Sequence, residues 1–394
     1  MRLRPLPAEP AEPIVFGAPL IGEEEIAEVV DTLRSGWIGT GPKTKRFEST
    51  FAKFVGSRFA VGTNSCTAAL HLALVGLGIG PGDEVITTPL TFVATANVIE
   101  HCGATPVFAD VLSDDANLDP DRVAERISPR TKAILPVHYA GAPARVHALR
   151  ERHPDLALVV DAAHAVEMLY ADGSSSARGG ATCAAYSFYV TKNLTTAEGG
   201  MLVTDSGKLA ADARVRSLHG LDNDAWRRYA GGPYGTYECV SAGFKYNMTD
   251  IQASLGLHQL TRVLRAHERR CEIWDRYNDA FIDLEAVEIP PASLQPVRDR
   301  THARHLYTLW LDWDALGLDR SGVVRALSEL GVGVGWHFRA VHLQPFYRER
   351  YGLGAGDFPV AELISDRTLS IPLSAGLTDE EVDRVIRAVR AVAG

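Results

Sequence analysis

The sequence lacks an excess of positive charge, any paired-cysteine motif and any apolar run long enough to cross a bilayer. Its 40 Lys and Arg are outnumbered by 49 Asp and Glu, giving a formal net charge of -9. That balance argues against a nucleic-acid partner, which needs a basic footprint. A phosphate, if bound, must be held locally by backbone amides and a few cations. The cysteines number five (Cys66, Cys102, Cys183, Cys239 and Cys271), and no two have the C-x-x-C spacing of a zinc or redox site. Free thiols in a reducing compartment are the simple reading. There is no basic-then-apolar leader and no membrane-spanning stretch, so a cytoplasmic protein without a membrane partner is expected. Metal is not expected either: His302 with His305, and His337 with His342, match neither H-E-x-x-H nor i, i+4 spacing.

What is present is a long α/β text. A chain of 394 residues, 46% hydrophobic, can build a large domain and a smaller one. Residues 1–13 carry Pro5, Pro7, Pro10 and Pro13 and are expected to form a mobile arm. A large domain is expected over 14–255, and a small C-terminal α/β domain with its linking helix over 256–394. Gly22 to Ser35 places Ile26, Val29, Val30 and Leu33 on one helical face. From about 59 to 204, short β-rich runs alternate with helical ones. The strand candidates are Phe59–Thr63, Glu84–Thr88, Thr105–Ala109, Ala133–Pro136, Leu156–Asp161, Ala184–Phe188 and Gly200–Thr204. Such alternation predicts a mostly parallel central sheet covered on both faces, with ligands beyond the carboxyl ends of its strands. Residues 205–249 read as a long functional loop, and a strong helix follows from Thr249 to Tyr277. The C-terminal part reads as strand, helix, strand, helix.

Three segments carry chemistry. In Gly62-Thr63-Asn64-Ser65-Cys66-Thr67 a strand ends and a helix opens, leaving unpaired amides at the positive end of the helix dipole. A phosphate fits there, with the Ser65 and Thr67 hydroxyls as further donors; alone, the segment reads better as an ordinary capped helix. In LALVVDAAHA (156–165) an apolar strand runs into Asp161, with His164 three residues on. A carboxylate at that position can face a cationic ring nitrogen, or cap the next turn. In YSFYVTKNLTTAEGG (186–200), Ser187 leaves a strand and Lys192 follows in a turn between apolar strands. Desolvation there would free its amine as a nucleophile. Phosphate cradle, ring-facing carboxylate and enclosed lysine on one α/β scaffold are the requirements of pyridoxal 5'-phosphate (PLP).

The segments 36–56 (GWIGTGPKTKRFESTFAKFVG), 65–74, 82–99, 136–144, 159–167, 187–200, 243–257 (GFKYNMTDIQASLGL) and 369–386 resemble, in order, the DegT/StrS family of sugar aminotransferases. The resemblance implies the type I fold of PLP-dependent transferases and a set of roles. Lys192 is implied as the Schiff-base lysine, Asp161 as the partner of the pyridine nitrogen, His164 as a neighbour of the phenolic oxygen, and Phe92 as the ring-stacking residue. The Cys66 and Thr67 amides and the Ser187 hydroxyl are implied to hold the phosphate. Lys245 or Asn247, with Asn247 favoured, is implied to reach it from the neighbouring subunit of a homodimer. Trp37, Thr40, His219 and His337 are candidates for the sugar, as is the loop from Trp226 to Tyr237. Cys66 stands where Gly or Ala is common; a thiol nucleophile at this helix start is a minor alternative. The implied reaction moves an amino group from L-glutamate to a nucleotide-linked keto-sugar. A dTDP- or UDP-linked 4-keto-6-deoxyhexose is favoured as acceptor, and a 3-keto-sugar or cyclitol ketone is the alternative. Lys192 counts against a dehydratase, in which His replaces it, and the Lys–Asp–Ser set counts against a non-catalytic regulator. The setting implied is a secondary-metabolite or surface-glycan pathway.

Overall fold

A computed structural model describes residues 12–222, 238–289 and 301–394. All but the last two residues of the proposed N-terminal arm lie outside the described residues, as does the Trp226–Tyr237 segment. The chain opens with α1 (Glu23–Ser35), whose first turn is acidic and whose Glu25 accepts from the Gly22 amide at 2.9 Å. Helix α2 (Pro42–Phe54) follows, with Pro42 at its first position. Next come β1 (Phe59–Thr63), α3 (Cys66–Gly76), β2 (Glu84–Thr87), α4 (Ala94–His101), β3 (Thr105–Phe108), α5 (Pro120–Arg126), β4 (Thr131–Leu135), α6 (Val146–Arg152), β5 (Ala157–Asp161), β6 (Cys183–Ser187) and β7 (Gly200–Thr204). Each of the seven strands lies within two residues of its expected position.

The seven strands form one sheet in the order β1-β7-β6-β5-β4-β2-β3. Pairs β2–β3, β2–β4, β4–β5 and β5–β6 are parallel, while β7 runs antiparallel to both β6 and β1. The pleat sends alternate residues to two cores. Leu158, Val160, Ala184, Tyr186, Met201 and Val203 join one core with Phe47 and Phe51 of α2. Val159, Cys183, Ala185 and Leu202 join the other, against Ala69, Leu72 and Ala73 of α3. By the same parity Asp161 and Ser187, the last residues of β5 and β6, fall on the α3 side.

Residues 205–249, expected as loop, contain α7 (Gly207–Ser217), capped by the Ser206 hydroxyl on the Leu209 amide. Its buried side chains include only Leu209, Ala210 and Ala213 as apolar groups, too weak a stripe to register as periodic. Helix α8 (Asp250–Phe281) has a Thr249–Gln252 capping box and runs 32 residues, about 48 Å. Its first half buries Ala253, Leu257, Leu260 and Val263 in the large core, and its second half buries Ile273, Trp274, Tyr277 and Phe281 in a separate core. Asp250 holds α2 from outside: its carboxylate accepts from the amides of Gly41, Lys43 and Thr44 and from the Thr44 hydroxyl, at 2.7–3.0 Å.

Beyond α8 the chain forms β8 (Val287–Glu288), β9 (Tyr307–Leu311), α9 (Trp313–Leu316), α10 (Arg320–Glu329), α11 (Pro345–Tyr351), α12 (Pro359–Arg367), β10 (Thr368–Ile371) and α13 (Asp379–Ala393). The second core draws on β8, β9, α10, β10 and α13, whereas α11 and α12 pack in a further cluster with Phe108 and Trp310. The strands form an antiparallel sheet in the order β10-β9-β8. Sequence reading missed α11 and α12, which span only seven and nine residues and begin at a proline. The apolar stripe of α1 also takes an unexpected side. Ile26, Val30 and Leu33 are 48%, 36% and 55% exposed, while Glu25 and Thr32 face the core.

Phe51 is fully buried, with ring centroids 5.0 Å from Tyr186 and 5.3 Å from Phe188. Phe51→Ala is expected to cost about 3–5 kcal/mol and lower the thermal unfolding midpoint by several degrees. Scanning calorimetry checks it.

Candidate active site

Strand direction assembles the site. Because β7 is antiparallel, its first residue, Gly200, lies in register with the last residues of both neighbours, Thr63 of β1 and Ser187 of β6. Parallel pairing with β6 brings the end of β5 to the same edge. There Asp161, 5% exposed, accepts from the Thr95 hydroxyl at 2.9 Å and from the Ala163 amide at 3.1 Å, with the Cys66 sulfur 3.9 Å away. Burial raises its pKa, and these hydrogen bonds and the Lys192 charge oppose the rise. A ring cation docked against Asp161 would oppose it further.

Lys192 lies in the turn after β6, its amide donating to the Tyr189 carbonyl at 2.9 Å. Its half-buried side chain puts Nζ 3.5 Å from His305 Nε2. Burial pulls the amine down to about 8, against the opposing charges of Asp161 and Cys66. Roughly a tenth of it is then unprotonated at pH 7, against well under one part in a thousand for an ordinary lysine. Three buried or half-buried imidazoles stand around it. His164 and His305 have centroids 4.4 Å apart, and His164 stacks on Phe338 at 6.0 Å. His337 stacks on Phe16 at 5.2 Å and meets the Ser370 hydroxyl through Nδ1 at 2.9 Å. Burial first, and the Lys192 charge second, push His164 and His305 well below the usual range and His337 down to about 4. All three are neutral near pH 7.

The helix α3 start lies against Gly200. A Cβ built on Gly200 would sit 2.5 Å from the Cys66 amide nitrogen, so only glycine lets β7 pass this close. The Ser65 hydroxyl is spent on capping, accepting from the Ala68 amide at 3.1 Å and facing Asn64 Oδ1 at 3.3 Å. The first-turn amides of Cys66 and Thr67 have no acceptor among the described residues. They point to an anion, with buried Ser187 on the same sheet edge.

These residues fit PLP on grounds of their own. The hydrogen-bonded carboxylate Asp161 suits a protonated ring nitrogen, and the free amides suit a phosphate. His164 Nδ1 is buried without a partner, as a neighbour of a ring oxygen would be. Lys192 supplies the amine. Phe92, 59% exposed and 6.0 Å from Phe338, offers a ring face. The thiol alternative falls away, because burial and then the Asp161 charge push Cys66 well above its usual range.

The remaining candidates divide. His337 joins the Lys192 cluster, whereas Thr40, Lys245 and Asn247 gather beyond β1. There Asn64 donates to the Tyr246 carbonyl at 2.7 Å and to the Lys245 carbonyl at 3.2 Å. Asn247 Nδ2 donates to the Thr40 hydroxyl at 2.7 Å, while the Lys245 side chain is exposed. Trp37 is half-buried beside Gly41. His219 is exposed, with a φ of 59° and its amide donating to the Phe244 carbonyl at 2.7 Å. Among the described residues, none of these side chains hydrogen-bonds to Asp161, His164 or Lys192. His305 was missed as a site residue. Sequence spacing considered it only as half of a metal pair, and no group of metal-binding side chains occurs among the described residues.

Comparison with known proteins shows the family. Residues 19–390 match the model of the DegT/DnrJ/EryC1/StrS aminotransferase family, and the chain belongs to that family, whose members depend on PLP. It is 48% identical over 380 residues to the spore coat polysaccharide biosynthesis protein SpsC of Bacillus subtilis, covering 96% of each chain. Among solved structures, it resembles the PLP form of Spr1654 from Streptococcus pneumoniae, assigned as a sugar aminotransferase. The identity is 33% and the TM-score 0.85, covering 97% of this chain and 98% of that one. DesI, solved in the presence of its TDP-sugar product, is 30% identical with a TM-score of 0.85, over 98% of this chain and 94% of DesI.

Gly200→Ala is expected to push β7 away from the α3 start and weaken cofactor retention. Dialysis followed by absorbance near the cofactor band should show loss from the variant and retention by the parent, with circular dichroism unchanged.

Proposed function

We propose that this member of the DegT/DnrJ/EryC1/StrS family transfers an amino group from L-glutamate to a nucleotide-linked keto-sugar. The proposed acceptor is a dTDP- or UDP-linked 4-keto-6-deoxyhexose, which would become the 4-amino-4,6-dideoxy sugar. The observation that carries the reading is the Lys192 amine, enclosed at the sheet edge with its pKa near 8 and sharing that edge with Asp161 and His164. Bound PLP supplies an electron sink for charge developing at the carbon that bears nitrogen. The chain's residues do the rest. Asp161, deep in the site, stays ionised opposite a positive ring. The Cys66 and Thr67 amides hold phosphate without adding charge. Lys192, with a pKa close to the working pH, would be suited to take a proton from the donor's Cα and to deliver it two bonds away, across the donor nitrogen. The neutral imidazoles of His164, His305 and His337 leave Lys192 the one basic amine among them. Two half-reactions alternate, 2-oxoglutarate leaving before the sugar enters.

The 4-keto preference rests on the GFKYNMTDIQA segment (243–253), and a 3-keto-sugar or cyclitol acceptor is the second reading. The relatives' polysaccharide and TDP-sugar connections support a sugar acceptor. A cytoplasmic setting, in a surface-glycan or secondary-metabolite pathway, accords with five unpaired cysteines. No helix among the described residues is long and apolar enough to cross a membrane. A homodimer with a shared site accords with the outward stripe of Ile26, Val30 and Leu33, continued by Leu20, Ile21 and Ile38 at 41–49% exposure.

Borohydride reduction of the PLP-loaded protein is expected to fix a pyridoxyl group on Lys192, read by peptide mass spectrometry. An adduct elsewhere, or none, overturns the assignment. Lys192→Ala should lose oxoglutarate production from glutamate by at least about 10³-fold. The glutamate-loaded enzyme, offered a panel of nucleotide keto-sugars with products located by NMR, should aminate C4; amination only at C3 would replace the acceptor reading. Leu33→Glu on α1 should shift sedimentation from dimer to monomer, and a parent that sediments as a monomer would remove the shared site.

A further inference from the structure

A line of buried polar groups runs from helix α8 to the Lys192 amine. Arg270 pairs with Glu167 Oε1, their side chains 3% and 0% exposed, and Arg270 Nε donates to the Arg304 carbonyl at 3.1 Å. Glu167 Oε2 accepts from Asn193 Nδ2 at 3.1 Å, and the same Nδ2 donates to the Ala303 carbonyl at 2.9 Å. A carboxylate facing a guanidinium and a backbone carbonyl can only accept, so they decide which end of the Asn193 amide is nitrogen. Its Oδ1 consequently faces His305 Nδ1, 2.9 Å away. An amide oxygen also only accepts, so Nδ1 must carry the imidazole proton. In a neutral ring that leaves a lone pair on Nε2, the atom 3.5 Å from Lys192 Nζ.

We propose that His305 is a positioning residue for Lys192. Its ring is locked in the Nδ1–H tautomer by the Asn193–Glu167–Arg270 chain, and it accepts a hydrogen bond from the ε-amine through Nε2. The inference rests on the reading of Lys192 as the reactive amine. It adds what holds that amine in place while it takes and returns protons. The charged and titratable groups facing Lys192 are Asp161 at the end of β5, Cys66 at the start of α3, His164 after β5 and His337 before β10. Arg270 on α8 stands behind His305. Burial disfavours protonating His305, and protonation would also set two cations 3.5 Å apart with Arg270 close by. The ring therefore serves as an acceptor. An acceptor stabilises the ammonium form more than the free amine, so its removal should lower the Lys192 pKa.

The test uses the full chain, first free of cofactor. Peptide mass spectrometry after brief acetic anhydride labelling across pH gives the titration of Lys192. In the parent the midpoint should lie at about 8. His305→Leu, which keeps bulk without an acceptor, should move it lower, and His305→Gln, which restores an acceptor oxygen, should bring it back toward the parent. In the PLP-loaded enzyme, His305→Leu should lower kcat by about 10–100-fold with little change in KM for glutamate, and His305→Gln should recover much of it. ¹⁵N spectra of histidine-labelled protein should show His305 protonated on Nδ1, and Asn193→Leu should release a mixture of tautomers. A Lys192 midpoint unmoved in His305→Leu, or a parent His305 protonated on Nε2, overturns the proposal. If His305→Leu fails to fold, the parent spectrum and Asn193→Leu decide alone, an unchanged tautomer in Asn193→Leu counting against it. The borohydride adduct at Lys192 reports separately on the reading beneath, so the two can fail independently.

Discussion

The site is governed by one electrostatic constraint, a buried carboxylate and a half-buried amine, both desolvated at the edge of a single sheet. Burial drives Asp161 toward its neutral acid and Lys192 toward its free base. The surroundings resist the first and make use of the second. Thr95 and the Ala163 amide donate to Asp161, so its charge is spread over hydrogen bonds without a direct ion pair to Lys192. No carboxylate among the described residues salt-bridges Lys192, so nothing in them cancels the lowering of its pKa by burial. Around both, the histidines are too deeply enclosed to charge, which keeps the region from accumulating cations.

The sheet makes this arrangement possible. A purely parallel sheet would carry the start of β7 to the opposite edge. Reversing that one strand returns Gly200 to the edge occupied by Thr63, Asp161 and Ser187. The pleat then selects a face. Asp161 and Ser187 share parity with Val159, Cys183 and Ala185, the side on which α3 presents its free amides. Position along the strand and parity within it together turn a list of motif residues into a site.

The sequence displayed much of this because strand ends leave a mark in it. An apolar run closed by a single polar residue, as at Asp161 or Ser187, shows both the strand and its terminus. His305 left no comparable mark. Its importance comes from Asn193, Glu167 and Arg270, which approach from three different segments and meet only when α8 packs on the β5 side. Helix α7 was hidden by a sparse apolar stripe, and α11 and α12 by brevity. The α1 stripe was visible, but periodicity reports that a helix is two-sided and not which side faces its own core. Glu25 went inward because Gln259 and Arg262 of α8 wait there to pair with it. Thr249 caps α8, and the Asp250 beside it is a short polar side chain of the same capping type. Tertiary contact sorted them, giving Asp250 to the amides of α2.

Helix α8 limits how the molecule can move. One unbroken rod is embedded at one end among Ala253, Leu257 and Leu260 and at the other among Trp274, Tyr277 and Phe281. Swinging one core about the other would require bending that rod or stripping one set of contacts, and close-packed interiors resist both. Admission and release of ligands must therefore rely on local rearrangement of side chains and connecting segments at the sheet edge. The Lys192 amine, which lines a cavity with Gln259, Val263 and Ala266 near the rod's middle, would keep its place through such rearrangements.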